Sequence, residues 1–270
     1  MTTEKVDFTD IPWGGVQWTM LCTLYLRAYE SRNQQSILAD QAAAEAVDRM
    51  EYDFDRLHRS VRPNSNQYTV ALRAWRFDAW AADFVKRHPD AVVLHLGCGL
   101  DSRAFRLDLP AGVTWFDVDV PQVIELRRRL YDETGTYRMI DSSVTETEWL
   151  EQVPNDRPTL IVAEGLLMYL QPQEVRDLLE RLTDRFKTGE LLFDVLPPWI
   201  VRVSKIQHWG IKDVREIERW NPRLRYVETA TPMTGNVYER VPSKGYRRLF
   251  RVFATFPFLR NFIRQLRFTF

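Results

Sequence analysis

The stretch Val92–Arg103, VVLHLGCGLDSR, decides how this chain is read. Apolar residues with a short alternation run into Gly-Cys-Gly, and then Asp101 and Arg103 follow. An apolar run that halts at a Gly-x-Gly turn is how a parallel strand ends where a nucleotide-like ligand must approach the backbone. A dinucleotide fingerprint would want a third glycine at position 102, where Ser102 stands. That departure turns the reading from a nicotinamide dinucleotide toward S-adenosylmethionine. A plain strand-to-loop turn is the competing account of the same residues.

The composition sets the frame. At 270 residues the chain can bury a sizeable core, and one domain (1–270) with appended elements is the expected layout. Within it, 1–90 reads as a helical cap, 91–196 as the cofactor-binding sheet core, and 197–270 as a substrate or lid region. Lysine plus arginine and aspartate plus glutamate both number 37, so no global charge points to nucleic acid. The two cysteines, Cys22 and Cys98, are far apart and form no ligand cluster. A reduced, cytoplasmic setting without a structural metal fits them. MTTEKVDFTD is polar and acidic, and no apolar run is long enough to span a bilayer, so neither a signal peptide nor a membrane span is expected.

Outward from the decisive stretch, the period of the apolar pattern changes. Residues 14–60 read as helical, with Val16, Met20, Leu21, Leu24 and Ala28 near helical spacing after Gly-Gly. VRPNSNQ (61–67) reads as a loop, and Tyr68–Arg87 as a helix. Beyond it, strand-type runs occur at Ala91–Leu96, Thr114–Asp119, Tyr137–Asp141, Thr159–Glu164 and Gly189–Val195. Helical stretches such as Pro121–Leu130 and Pro172–Phe186 separate several of them. Alternating strands and helices predict an α/β, doubly wound, mostly parallel sheet with right-handed crossovers. Leu224–Ala230 is a candidate for one more strand, and Lys244–Phe270 reads as a helical extension broken near Pro257.

Ligands bind such sheets at the C-terminal strand ends, and here four of these ends carry polar or acidic residues. Gly97 and Gly99 would admit the amino-acid portion of S-adenosylmethionine. In WFDVDVP, Asp117 and Asp119 share a face; Asp119, at the tip, is the candidate acceptor for two ribose hydroxyls. Asp141 with Ser142 would accept from the adenine amino group, and Glu164 would lie beside the methionine end. Any single strand-end acid is more often a helix cap than a ligand. Four in register with a glycine turn favour the ligand.

These residues also carry a resemblance. Leu24-Tyr-Leu-Arg-Ala, Arg73-Ala-Trp-Arg-Phe-Asp, LHLGCGLDSRAFRL, FDVDVPQVIELRR and AEGLLMYL occur here in the order of the leucine carboxyl methyltransferase family. Over residues 14–200 the chain resembles its bacterial branch of polyketide O-methyltransferases, with the match fading from Trp220 onward. The resemblance implies a class I, Rossmann-like fold and S-adenosylmethionine-dependent O-methyl transfer. It gives Arg73 the cofactor carboxylate as partner, a role suited to a bidentate fork, with Arg27 assisting. Arg103 and Asp101 are expected to brace the glycine turn. The family commonly has glutamate where Asp117 stands, so the shorter acid departs from the pattern.

A carboxylate acceptor is ionised at neutral pH and needs no base, whereas a phenol, with a pKa of about 10, would benefit from one. Of the histidines, only His208 follows the fifth strand near the expected acceptor pocket; a surface histidine is the alternative. Tyr169 is a candidate for orienting the acceptor, set against ordinary core packing. Cys98 reads as a small turn residue, with no base beside it to make it a nucleophile. The C-terminal stretch interleaves Lys244, Arg247, Arg248, Arg251, Arg260, Arg264 and Arg267 with phenylalanines and no acid. A basic solvated face, a lid, a homodimer contact, and attachment to anionic lipid or an acidic carrier protein are its candidate roles. The expected partner is a small-molecule acceptor, a carboxyl group on a polyketide-like or aromatic compound. Alternatives are a phenol acceptor, a protein C-terminal carboxyl, a nicotinamide-dependent oxidoreductase, and a non-catalytic protein that keeps the fold.

Overall fold

Val92 to Leu96 are all buried, which is what a strand covered on both faces requires. It is β1, and six more strands join it: β2 (Thr114–Asp119), β3 (Tyr137–Asp141), β4 (Thr159–Ala163), β5 (Gly189–Val195), β6 (Arg225–Ala230) and β7 (Arg264–Thr269). The computed structural model describes residues 5–234 and 237–270. The sheet order is β3-β2-β1-β4-β5-β7-β6; β1 to β5 are parallel, and β7 runs antiparallel between β5 and β6. Strand order reverses between β1 and β4, so a crevice is expected beyond their C-terminal ends.

The helices form for local reasons. In α1 (Val16–Ser31) and α2 (Gln41–Arg49) the apolar side chains return each turn, and Asp40 caps α2 by accepting from Ala43 N at 3.0 Å. After α3 (Phe54–Val61) the chain turns on the single residue Arg62, at φ +46°, and α4 (Pro63–Arg87) begins. Of the loop expected over 61–67, Val61 ends α3, Arg62 makes the turn, and 63–67 open α4. Pro63 fits the first helical position because its fixed φ suits the helix and its missing N–H is not needed there. Short α5 (Arg103–Arg106) follows β1, α6 (Pro121–Arg128) follows β2, and α7 (Pro172–Arg185) precedes β5. Glu174 caps α7 by accepting from Gln171 N at 2.7 Å.

The two sheet faces bury different sets. Leu24, Phe77 and Trp80 from the N-terminal helices pack with Val93, Trp115 and Leu160. Val175, Leu178 and Leu182 of α7 pack with Leu94, Ile161 and Phe193 on the other side. Each buried side chain of this size contributes about 1.5–3 kcal/mol.

After β5 come α8 (Pro198–Val203) and α9 (Arg215–Trp220), and after β6 come α10 (Lys244–Thr255) and α11 (Pro257–Arg260). Phe250 anchors α10 to Tyr68 and Leu72 of α4. The expected helical extension thus holds to Arg260, but Arg264–Thr269 is a strand. Its alternation explains the difference: Leu266 and Phe268 enter the core, while Gln265 and Arg267 face the other way. Gln265 donates to Arg73 O at 2.8 Å, and Arg267 bonds Glu190 and Asp83. Gly189 and Phe270 exchange backbone hydrogen bonds of 3.0 and 3.1 Å. Among the described residues, no helix is long and apolar enough to cross a membrane.

Candidate active site

The turn after β1 carries Gly97 at φ +62° and Gly99 at φ +51°, backbone conformations that L side chains rarely adopt. The space a side chain would need at position 97 is filled: a Cβ there would lie 2.8 Å from Leu166 Cδ1. Gly97 thus lets the loops after β1 and β4 close on each other. Above the turn, Gly97 N donates to Val118 O at 2.8 Å.

The two aspartates of β2 have separate positions. Asp119 accepts from Gly99 N and Val120 N, both at 2.8 Å, and so links the strand tip to the glycine turn. Burial raises its carboxyl above the ordinary value, offset in part by those two N–H groups. Asp117 lies wholly inside, accepting from His95 Nδ1 at 3.1 Å, Trp115 Nε1 at 2.9 Å and the Tyr137 hydroxyl at 2.6 Å, with Arg127 as its ion-pair partner. Burial opposes its charge, but Arg127, His95 and Tyr137 outweigh that and hold it below its ordinary value. The shorter acid is accommodated by this buried set. Asp141, the register partner of Asp119, is exposed and bonded to Arg128 at 3.3 Å. Ser142 N donates to Asp119 O at 2.9 Å.

Behind the glycine turn lies a network of charges. Arg103, fully buried, donates to Asp78 at 2.7 Å, to Glu164 at 2.5 Å and to His95 Nε2 at 3.3 Å, and lies 3.4 Å from Asp101. A guanidinium only donates, so His95 Nε2 accepts, and Nδ1–H faces Asp117. Arg106 binds Asp78 through two nitrogens at 2.7 and 3.0 Å, and reaches Asp101 at 2.5 Å and Asp40 at 3.1 Å. Ser102 donates to Asp40. Arg27, nearly wholly buried, stands 3.8 Å from Asp40 and 3.9 Å from Asp101. The expected brace of Arg103 and Asp101 is present, and Asp40, Asp78 and Arg106 extend it to α2 and α4. Arg127 adds a bond to Gly99 O at 3.1 Å. Burial opposes charge on Asp101, yet Arg103, Arg106 and Arg27 hold it well below the usual carboxylate range.

Across the crevice, Arg73 comes from the middle of α4. Its Nη2 pairs with Asp194 of β5, and its Nε lies 3.4 Å from Glu164 Oε1 without a hydrogen bond. Nη1 makes no hydrogen bond or ion pair with a described residue. Gly165, at φ +70°, makes this possible, since a Cβ there would stand 2.8 Å from Arg73 Nη2. Gly165 N donates to Asp194 Oδ1 at 2.8 Å. Burial and then Arg73 act in opposition on Asp194, and its carboxyl ends above the ordinary value. Burial also opposes charge on Glu164, but Arg73 and Arg103 hold it below. Of the two acids that share Arg73, Asp194 is therefore the one readier to hold a proton. Sequence reasoning placed Gly165 with Glu164 at the end of β4 but missed Asp194, whose partner Arg73 comes from α4.

Tyr169 packs among Met168, Leu196, Ile200 and Ile263, and burial raises its hydroxyl in spite of nearby Arg73. His208 is exposed; its backbone N donates to Met168 O at 2.8 Å, and it lines a cleft with Arg176, Trp209 and Trp220 that includes neither Tyr169 nor Arg73. Cys98 is buried and its thiol is raised well above the ordinary value by that burial, so it is no nucleophile.

The crevice matches S-adenosylmethionine in chemistry. An amino-acid head needs a cation for its carboxylate and an acid for its ammonium, and Arg73, with a buried Nε lacking a hydrogen bond, stands beside Glu164. A ribose needs an acceptor near the glycine turn, where Asp119 is fixed.

Comparison with known proteins agrees with this arrangement. Residues 20–183 match the model of the leucine carboxyl methyltransferase family. The chain is 45% identical over 224 residues to the tetracenomycin polyketide synthesis O-methyltransferase of Streptomyces glaucescens, covering 79% of this chain and 82% of that one. It is 34% identical over 259 residues to an S-adenosyl-L-methionine-dependent methyltransferase of Gibberella zeae, covering 84% and 86%. A Thermobifida fusca crystal structure described as a methyltransferase superposes with a TM-score of 0.57 at 15% identity, over 90% of this chain and 93% of that one, a likeness of fold. The sheet is that of the class I, Rossmann-like methyltransferases, and the chain belongs to the leucine carboxyl methyltransferase family.

Proposed function

We propose that the chain is an S-adenosylmethionine-dependent O-methyltransferase whose acceptor is a carboxylate on a polyketide-like or aromatic small molecule. The observation that carries the donor half is the pairing of Arg73 with Glu164 beside the glycine turn. Arg73 turns its free edge to the cofactor carboxylate, and Glu164 takes the ammonium. Asp119 accepts from the ribose hydroxyls, and Asp141 with Ser142 meets the adenine edge at the outer lip. Gly97 and Gly99 shape the turn that the amino-acid portion follows. Arg27 acts from behind, holding Asp101 and through it the turn.

S-adenosylmethionine supplies an activated methyl group: the acceptor oxygen forms the new O–CH3 bond as the S–CH3 bond breaks, its electron pair remaining on sulfur. A carboxylate loses no proton in this exchange, so the protein's task is alignment and exclusion of water. The site supports that acceptor because Tyr169 carries a hydroxyl raised by burial, fit to donate a hydrogen bond but not to act as a base. His208 is exposed to solvent.

The test is incubation with S-adenosylmethionine and parallel panels of aromatic carboxylic acids and phenols, read by mass. The expected product is a methyl ester, which mild alkali returns to the acid. An alkali-stable methyl ether as the main product would overturn the carboxylate assignment. Stabilisation by a nicotinamide dinucleotide but not by S-adenosylhomocysteine would overturn the donor.

A further inference from the structure

Beyond the C-terminal edge of β5 the chain forms an open cleft of ≈ 580 Å³ that the donor site does not use. Trp199 and Phe258 line it and stack on each other, with ring centroids 4.5 Å apart and planes 22° apart. These rings are 38% and 58% exposed, a large apolar surface left to water. Three cations, Arg202, Lys212 and Arg264, line the same cleft, and no acid does. Arg264 is tied to the carbonyls of Ile211 and Lys212. Arg202 and Lys212 are exposed and have no ion-pair partner among the described residues.

The cleft adjoins elements that carry the candidate donor site. Arg264 opens β7 and pairs in register with Val195, one residue after Asp194. Tyr169 shares its apolar cluster with Leu196 and Ile200, which flank the Pro197-Pro198 turn forming the cleft wall.

We propose that this cleft is the acceptor's entry seat, taking a planar aromatic carboxylate with its rings against Trp199 and Phe258 and its charge drawn by Arg202 and Lys212. The proposal rests on the carboxylate reading above. A cavity of this size holds a fused-ring compound, and aromatic walls with a few charged groups are how such sites select. The cations are at the rim, so they act through their field and leave the carboxylate free to reach the methyl group. Methylation removes the acceptor's charge, so the same rim holds the acid more tightly than its ester, favouring exchange of product for substrate. A bilayer would engage a convex amphipathic face, whereas this surface is recessed between α8 and α11.

The test uses calorimetry on the full chain saturated with S-adenosylhomocysteine, titrated with anthracene-2-carboxylate and separately with its methyl ester. The acid is expected to bind about fivefold more tightly, the sum of two exposed charge interactions. R202A/K212A should bring the two affinities together, W199A should weaken both alike, and S-adenosylhomocysteine affinity should stay unchanged in each variant. Equal binding of acid and ester to the wild type, or a preference that survives R202A/K212A, overturns the proposal. So does the absence of probe binding, with or without sedimentation on phosphatidylglycerol vesicles; sedimentation would mark the patch as a lipid surface. If the probes behave as expected but S-adenosylhomocysteine does not bind, the cleft stands and the donor assignment falls.

Discussion

Replacing Arg73 by alanine has two separable effects, one on the cofactor and one on the fold. Hydrogen bonds to a charged group contribute about 1.5–3 kcal/mol, so loss of the guanidinium should weaken S-adenosylhomocysteine by about 10–100-fold. The decarboxylated analogue has nothing for that guanidinium to hold, and its affinity should fall by no more than about threefold. On the fold side, Asp194 and Glu164 lose their shared cation. Breaking a buried pair costs about 3–5 kcal/mol, and the lower figure applies because Arg73 keeps an edge toward solvent. That is a fall in melting temperature of about 6–12 °C at this chain length. Asp194 is already raised, and without Arg73 it rises further; an acid raised in the folded state favours the protonated fold. The stability deficit should therefore be greatest at neutral pH and narrow as pH falls. Calorimetry with both ligands and thermal unfolding at several pH values would read these effects. Equal affinity losses for the two ligands would refute the carboxylate pairing, and a pH-independent deficit would refute the account of Asp194.

Asp119→Ala should lower S-adenosylhomocysteine affinity by at least about tenfold, since one charged acceptor for two hydroxyls is lost; unchanged affinity would remove the ribose assignment. Gly97→Ala should destabilise the fold by about 1–2 kcal/mol for the positive φ alone, and adding Leu166→Ala should relieve only the steric part, as thermal unfolding would tell. Asp117 is lowered in the folded state, so its contribution is full above the ordinary 3.8 and is lost as pH falls through its lower folded value. Arg127→Met removes the largest of the lowering influences, so the stability lost on acidification through that window should be smaller in the variant than in the wild type; an identical pH profile would contradict the pairing.

The strands of the parallel sheet were legible because burial on both faces demands continuous apolar runs, and those runs stop at glycines and acids. Positions in the candidate site were legible on strand tips: Asp119, Asp141 and Glu164 lie at strand ends as read. It was less legible where a charge is buried by partners far along the chain. Arg106, Asp78 and Asp40 look like solvent residues on amphipathic helices, and only the folded chain joins them. Asp194 follows the apolar run Leu191–Phe193 and becomes intelligible only beside Arg73 from α4. β7 was concealed by its own arginines, because Arg267 is neutralised by Glu190, more than seventy residues earlier, rather than by a neighbour. For Gly97 the sequence offered only ligand approach; the folded chain adds that Leu166 fills the space a Cβ would need.

The placement of β7 between β5 and β6 governs the order in which this protein can be assembled. During synthesis β6 emerges before β7, yet among the described residues its only strand neighbour is β7, so it must wait unpaired while β5 also presents an open edge. Two bare edges of N–H and C=O groups are a template for mispairing, and the contacts that close them are far apart in sequence and slow to form. Newly made chains are thus most prone to aggregation in the interval before Arg264–Thr269 slots home, and chaperone demand should concentrate there.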